Sequence, residues 1–332
     1  MKETQGKETH SVLLDNTFHH SRFADTKRLC SLKKEKGLRI SLAFPTLNEE
    51  ATIGKEILVI KTELMDRLPL IDEIAVIDSG SSDKTREISR AYGAQVYLSK
   101  DILKSQGTFR GKGENLWKSL YALSGDIIVW IDADIQNISP KFVYALIGPL
   151  LENDELQYVK AFYERPLKTL ADIAPSGGGR VTEILVRPLF SLFYPELAFL
   201  IQPLSGEYAG RRKLLEQLAF SVGYGVELGH LLDVYHACGI GALAQVDIDK
   251  RIHRNQSVQS LSRMSFGILN TFFNRLRKYG DMDLKAVMNA HHIALNVLGE
   301  KHEPVFTDVC AVERPPIIEV SEYRKKFHPK KD

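Results

Sequence analysis

Two carboxylates one residue apart, Asp132 and Asp134, stand at the end of the apolar run Ile127-Ile128-Val129-Trp130-Ile131. Side chains alternate along an extended chain, so the pair points one way. Like charges side by side need a cation or hydrogen-bond donors between them. Mg²⁺ is held by one or two carboxylates together with substrate phosphates, so a metal carrying a diphosphate answers that need. The plainer alternative is a solvated strand end, or an Asp cap before Ser139-Pro140. Two further polar turns follow apolar runs: Pro45-Thr46-Leu47-Asn48-Glu49, and Asp78-Ser79-Gly80-Ser81-Ser82-Asp83. Each leads into a helical pattern, and free N–H groups at a helix start can receive an anion.

Other stretches carry cations or glycines. Gly107-Thr108-Phe109-Arg110-Gly111-Lys112-Gly113 is one residue too short for a nucleotide-binding P-loop, and Gly113 replaces its Ser or Thr. It reads as a mobile turn whose Lys112 reaches a phosphate or sugar. Gly177-Gly178-Gly179-Arg180 precedes an apolar helical stretch. Successive N–H groups can converge there on an anion, and the Arg180 fork suits a carboxylate or phosphate. An anion site is preferred to a plain flexible loop because glycines, arginine and helix start coincide. Glu227 falls in the first turn of a helix, where the dipole alone would favour it. Arg251, His253 and Asn255 alternate, so they can share one side of an extended segment.

The elements that must position these residues follow from period and punctuation. Strands are expected at 39–44, 71–78, 95–98, 127–132, 157–163 and 241–248, with a short strand or turn at 206–212. Helices are expected after Glu49 (Ile53, Ile57, Ile60), over 84–92 and before Leu123 (Leu116, Leu120). Further helices are expected over 139–153, with Ser139 as cap and Pro140 at the first position, over 184–193, and from Tyr224 onward. The last two are 258–279 and 284–298. The β-α-β-α-β order predicts an α/β fold with a doubly wound parallel sheet. Residues 1–37 read as a polar extension with a short helix near His19 to Leu32, and His19-His20 as a solvated surface pair. The basic tail from Tyr323 reads as solvated.

Composition narrows the function classes. The 332 residues are 44% hydrophobic and 26% charged, which is globular. A net charge of +2 supplies no strong field for nucleic acid. Three scattered cysteines, Cys30, Cys238 and Cys310, make neither a disulfide framework nor a zinc pattern and suit a reducing cytoplasm. No apolar run is long enough to span a bilayer.

The motifs at 45–49, 78–83 and 132–134 resemble the nucleotide-sugar signatures of GT-A glycosyltransferases. The later motifs Pro175–Glu183, Ser205–Arg212, Tyr224-Gly225-Val226-Glu227 and Arg251–Asn255 resemble those of the glucosyl-3-phosphoglycerate synthase family. The likeness runs in order over roughly residues 39 to 300, which makes chance agreement improbable. It implies a GT-A, mostly parallel sheet flanked by helices, with a smaller, more helical C-terminal acceptor part. Its divisions would be an extension 1–38, a nucleotide-sugar half 39–165 and an acceptor half 166–332. The implied reaction is a retaining, metal-dependent transfer of glucose from an NDP-glucose to the 2-hydroxyl of D-3-phosphoglycerate. By the same resemblance Pro45, Thr46, Leu47, Glu49, Asp78, Ser79, Lys112, Asp132, Ala133, Tyr224 and Arg251 would hold the donor. Gly178, Gly179, Arg180, Val181, Thr182 and Asn255 would hold the acceptor. Asp134 and His253 would bind Mg²⁺, Mn²⁺ or Co²⁺, and Glu227 with Asp134 would serve the chemistry. A cytoplasmic homodimer is expected. Rival expectations are transfer of mannose from GDP-mannose, transfer to a polyprenyl phosphate, and binding of a nucleotide sugar without turnover.

Overall fold

A computed structural model describes residues 12–164, 167–168, 173–174, 179–252, 257–283, 288–289, 291–298, 301–309 and 312–329. Its strands are β1 (Thr17–His19), β2 (Ile40–Thr46), β3 (Glu73–Asp78), β4 (Gln95–Leu98), β5 (Ile127–Trp130) and β6 (Tyr158–Glu164). After the short pair β7 (Leu167–Lys168) and β8 (Ile173–Ala174) come β9 (Tyr208–Arg211), β10 (Phe220–Ser221), β11 (Leu243–Lys250), β12 (His291–Leu298), β13 (Lys301–Asp308) and β14 (Glu313–Arg314). The main sheet has the order β1-β11-β6-β9-β5-β2-β3-β4. Its neighbours are parallel except β9, which runs antiparallel to both β5 and β6. This is the α/β, mostly parallel arrangement expected.

The central strand shows why the apolar run is unbroken. Ile128 and Trp130 face one core with Leu116, Leu120, Leu231 and Phe272. Ile127, Val129 and Ile131 face another with Ile57, Ile60, Phe142 and Leu146. Alternate side chains thus serve opposite faces of a sheet covered on both sides. The helices on the first face include Lys112–Ala122, Val226–Cys238 and Val258–Tyr279; those on the second include Ile53–Lys61 and Lys141–Glu152.

Several expectations change. The polar start is partly inside the fold: β1 pairs with β11, Leu13 and Phe23 are buried, and the helix is Thr26–Glu35. Ser139 does not cap; Pro140 occupies the N-cap position of Lys141–Glu152, with no side-chain cap bond. The helix expected over 284–298 does not hold for its described C-terminal part. Residues 291–298 form β12, paired antiparallel with β13 from His291↔Asp308 to Leu298↔Lys301. The tail is not solvated throughout. Tyr323 is fully buried and its hydroxyl donates to Glu216 at 2.9 Å, while Phe327 lies one helical turn on, beside Arg212.

Candidate active site

Strand ends meet in one place. Pro45 and Thr46 at the end of β2, Leu47 and Glu49 after it, Ser79 after β3 and Asp132 after β5 line a cleft of about 970 Å³. A ligand is expected at the carboxyl ends of strands in such a sheet. The β2 and β3 turns are tied together. Asn48 adopts φ +60, its amide donates to Ser81 Oγ at 2.9 Å, and its Oδ1 accepts from the Ser82 amide at 2.9 Å. Asn48 therefore joins two loops and does not start the next helix, whose N-cap is Thr52. Asp78 is fully buried beneath the cleft. It accepts from the Gly80 and Ser81 amides, both at 2.9 Å, and so shapes the Ser79 turn.

The opposite wall explains the glycine-rich loop. Arg110, Gly111 and Lys112 line the cleft, and Lys112 opens a helix. A Cβ on Gly111 would lie 2.2 Å from the Val222 carbonyl oxygen, and one on Gly113 1.8 Å from that of Ser221. The backbone of residues 221–222 occupies the space a P-loop Ser or Thr would need. The loop read as mobile is pinned. Lys118 donates to the Ser99 and Gly107 carbonyls at 2.8 and 2.9 Å, and Arg314 donates to Glu114 at 2.7 Å.

A charge network spans the floor. Lys112 Nζ lies 2.5 Å from Asp132 and 2.8 Å from Glu227. Burial works against its charge, but the two carboxylates outweigh this and hold its pKa above the ordinary value. Arg251 is 4% exposed; its Nη2 lies 2.6 Å from Asp134 and 3.2 Å from Asp132. Its Nε is 3.2 Å from buried Glu207, and its Nη1 donates to the Tyr163 hydroxyl at 2.9 Å. Burial opposes this charge too, and Glu207 leads the groups that restore it. Gly206 leaves room for this arrangement, since a Cβ there would meet Asp132 Oδ2 at 1.9 Å and displace the carboxylate.

Three supporting groups escaped the sequence reading. Glu56 is fully buried behind Asp134 and accepts from the Ile135 amide at 2.8 Å; burial first, then Asp134 and Asp132, push its pKa well up. Glu207 is the buried partner of Arg251. Lys160, 1% exposed, donates to the Ser205 carbonyl at 2.5 Å and stands 4.2 Å from the Tyr208 ring centroid. Each reads in sequence as an ordinary surface charge; only a charged residue on an otherwise apolar helix face or strand hints at them. Ser221, Gly223, Gly225, Ser260, Arg263, Gly267, Thr271 and residues 307–309 also line the cleft and were not anticipated.

The expected acceptor residues separate from this group. Val181 and Thr182 are buried, Gly179 has φ +91, and none of 179–182 lines the cleft. Ala133 is also buried, and its carbonyl accepts from Thr52 Oγ1 at 2.5 Å. Tyr224 lines the cleft and is half-exposed. Gly178, His253 and Asn255 lie outside the described residues.

The donor set suits a hard divalent cation. One guanidinium nitrogen bridges Asp132 and Asp134, so both carboxylates converge on a point that already takes positive charge. Carboxylate oxygens beside a phosphate-sized cleft are Mg²⁺ or Mn²⁺ ligands. Among the described residues, the cluster of three converging ligands lies elsewhere, at His19, His20 and Asp249. A cation held by Asp134 would leave its remaining positions to other side chains and to a ligand's phosphates.

The model described as Glycosyl transferase family 2 matches residues 41–218. A glucosyl-3-phosphoglycerate synthase of Petrotoga mobilis is 56% identical over 315 residues, covering 95% of this chain and 97% of the relative. One from Mycobacterium tuberculosis is 43% identical over 274 residues, covering 81% and 82%. Among solved structures, a mannosyl-3-phosphoglycerate synthase from Rubrobacter xylanophilus superposes with a TM-score of 0.85 at 36% identity, covering 94% of this chain and 98% of that one. The M. tuberculosis glucosyl-3-phosphoglycerate synthase in complex with Mn²⁺, uridine diphosphate and phosphoglyceric acid superposes at 0.77 with 40% identity, covering 88% and 94%.

Proposed function

Because the chain belongs to glycosyl transferase family 2, and within it to the glucosyl-3-phosphoglycerate synthases, we propose that it moves glucose from UDP-glucose to the 2-hydroxyl of D-3-phosphoglycerate with retention. The carrying observation is the convergence of three strand-end motifs and Lys112 on one cleft, whose Asp132 is linked through Lys112 to Glu227 and through Arg251 to Asp134 behind it. The M. tuberculosis relative has been crystallised with Mn²⁺ and uridine-diphosphate-glucose, and with Mg²⁺ and uridine diphosphate.

In this reading Pro45, Thr46, Leu47, Glu49 and Ser79 hold the nucleotide, and Asp132 lies against its ribose. Asp134, with His253, would hold a divalent metal, which when bound supplies positive charge to the diphosphate. Lys112, Arg110 and Arg263 bring further positive charge to the same cleft, where charge develops as the sugar leaves. The acceptor hydroxyl attacks the anomeric carbon on the face the diphosphate departs from; the C–O bond to phosphate breaks and the departing oxygen takes the hydroxyl proton. Glu227, held by Lys112, orients the reacting sugar or its acceptor and forms no bond to it. Gly178, Gly179, Arg180, Thr182 and Asn255 hold the phosphoglycerate. Val181 anchors that loop in the core. The basis for this assignment is the chemistry of the residues and their family resemblance.

Mannosyl transfer is the second reading, favoured by the R. xylanophilus likeness. Transfer to a polyprenyl phosphate has less support: among the described residues no helix is long and apolar enough to cross a membrane. A cytoplasmic location suits a nucleotide sugar and a phosphorylated acid. A homodimer is supported by Ile184 and Leu192, 78% and 76% exposed on one helical stretch. The test of function is turnover of UDP-glucose with 3-phosphoglycerate, with and without chelator. Product formation restored by Mg²⁺ or Mn²⁺ supports the reading; full turnover in chelator, or no product, contradicts it.

A further inference from the structure

At the end of β11 the register shifts between Asp247 and Lys250. Asp249 sits in that bulge at φ +65, and its amide donates to Asp247 Oδ1 at 2.9 Å. Bulges re-aim side chains, and a left-handed non-glycine residue persists only where its surroundings hold it. Here the carboxylate is aimed at the end of β1. His19 Nε2 lies 3.2 Å from Oδ1, and His20 Nε2 lies 2.8 Å from Oδ2. One ligand atom from each of the three lies within 4.8 Å of the others. Ligand atoms about 2.0–2.1 Å from a tetrahedral zinc stand roughly 3.3 Å apart, so little movement is needed.

The second ring nitrogens are also engaged. His19 Nδ1 is 2.8 Å from Ser21 Oγ, and His20 Nδ1 is 3.2 Å from the Tyr144 hydroxyl. Metal-bound imidazoles are oriented by such a hydrogen bond at the nitrogen not facing the ion. The Ser21 amide donates to His19 Nδ1 at 3.3 Å, which leaves the ring proton on Nε2, toward Asp249. An ion on Nε2 would move that proton to Nδ1, where it is donated to Ser21 Oγ in exchange for the weaker bond that Nδ1 now accepts from the Ser21 amide. Lys141 Nζ now lies 2.5 Å from Asp249 Oδ2. The hydrogen bond from Lys141 leads the contacts, including those from both histidines, that keep the Asp249 carboxyl well below its ordinary value. A lysine 24% exposed can swing away to solvent.

We propose that His19, His20 and Asp249 form a second metal site, for a transition metal of the Zn²⁺, Co²⁺ or Ni²⁺ class, that ties β1 to the bulge preceding Arg251. Two imidazoles with one carboxylate suit these ions and not Mg²⁺ or Ca²⁺. The site is separate from Asp132 and Asp134 and does not depend on the proposed reaction. Arg251, two residues after Asp249, carries the Asp132–Asp134 pairing, so an ion there would brace the segment that places it.

The test is calorimetric and visible-absorption titration of the full-length chain with CoCl₂ in excess Mg²⁺. Asp134→Asn is used as background, so that the diphosphate metal site contributes nothing. One equivalent of Co²⁺ with visible d–d absorption is expected. His20→Ala should lose the band and at least tenfold in affinity. Lys141→Ala should bind more tightly, because the competing cation is gone; a purely structural ion pair would not produce that gain. Far-UV circular dichroism and a cooperative melt establish folding of each variant. If His20→Ala does not fold, His19→Ala, whose ring is 49% exposed, is read in its place. Absence of stoichiometric Co²⁺ uptake, or uptake unchanged by loss of either histidine, overturns the proposal.

Discussion

The residue scale is where chemistry was most legible. Asp132 and Asp134 stand out because their type and spacing carry meaning without a fold. Removing one charge should be severe. Asp134→Asn would lose the carboxylate that Arg251 touches at 2.6 Å and that a diphosphate-bound metal would use. It is expected to lower kcat at least a hundredfold in a coupled assay of nucleotide release, while leaving the melt cooperative. Turnover within a fewfold of the unmodified protein would remove Asp134 from the chemistry. The acceptor side makes a distinct prediction. Arg180→Ala should lose a charge-assisted hydrogen bond worth about 1.5–3 kcal/mol. That is roughly a ten- to hundredfold fall in acceptor efficiency, since each ~1.4 kcal/mol is tenfold. Lys at this position should restore only part, because a point charge lacks the fork. Steady-state kinetics with each substrate varied will decide: a raised donor KM with untouched phosphoglycerate kinetics would contradict the assignment. Glu56, Lys160 and Glu207 were illegible at this scale. Their importance comes from burial against partners far away in sequence, which no local spacing reports.

At the scale of elements, the strands were readable where both faces are buried. The run at β5 and the turn residues after β2 and β3 announce themselves, because a covered strand tolerates only apolar side chains. Residues 284–298 were not readable in the same way. Their apolar positions fit a helical period and an alternating one alike, and the pairing of β12 with β13 decides between them. The Gly107–Gly113 loop teaches the same lesson: its glycines answer to residues 221–222, a contact invisible without the fold. Gly113→Ala tests this. A methyl group would fall 1.8 Å from the Ser221 carbonyl oxygen, so backbone must move. Overpacking of this kind costs about 1–3 kcal/mol. The expected result is a lower denaturation midpoint together with a higher donor KM, because the helix that begins at Lys112 shifts. A variant with unchanged midpoint and unchanged donor KM would show that the close approach has no consequence.

For the whole molecule, the segments that hold β1 and β14 return to the sheet and its loops. β1 adds to the sheet edge beside β11, and Arg314 reaches back to Glu114 and the 105–110 loop. The sequence shows polar, basic ends and hides Leu13, Phe23 and Tyr323, single apolar anchors in charged surroundings. Stability should carry the signature of the buried charge network. Burial lowers the Lys160 pKa from 10.5 to about 7, against the pull of Glu227. Between those values the unfolded chain binds a proton that the folded chain does not. Stability therefore rises with pH across that window. Lys112, shifted upward, is protonated in both states there and adds no slope. Urea unfolding of the unmodified chain and Lys160→Met at pH 7, 8.5 and 10 should diverge, the lysine form gaining relative stability with pH. Parallel curves would contradict the burial argument. Glucosyl transfer to 3-phosphoglycerate is read out by a donor and acceptor matrix. UDP-glucose, GDP-glucose and GDP-mannose are each offered with 3-phosphoglycerate and with glycerate, and products are identified by mass and anomeric NMR. Glucosyl-3-phosphoglycerate with the donor's anomeric configuration is expected from UDP-glucose, and little product from glycerate. A mannosyl product formed in preference, or equal use of glycerate and 3-phosphoglycerate, would contradict the proposed transfer.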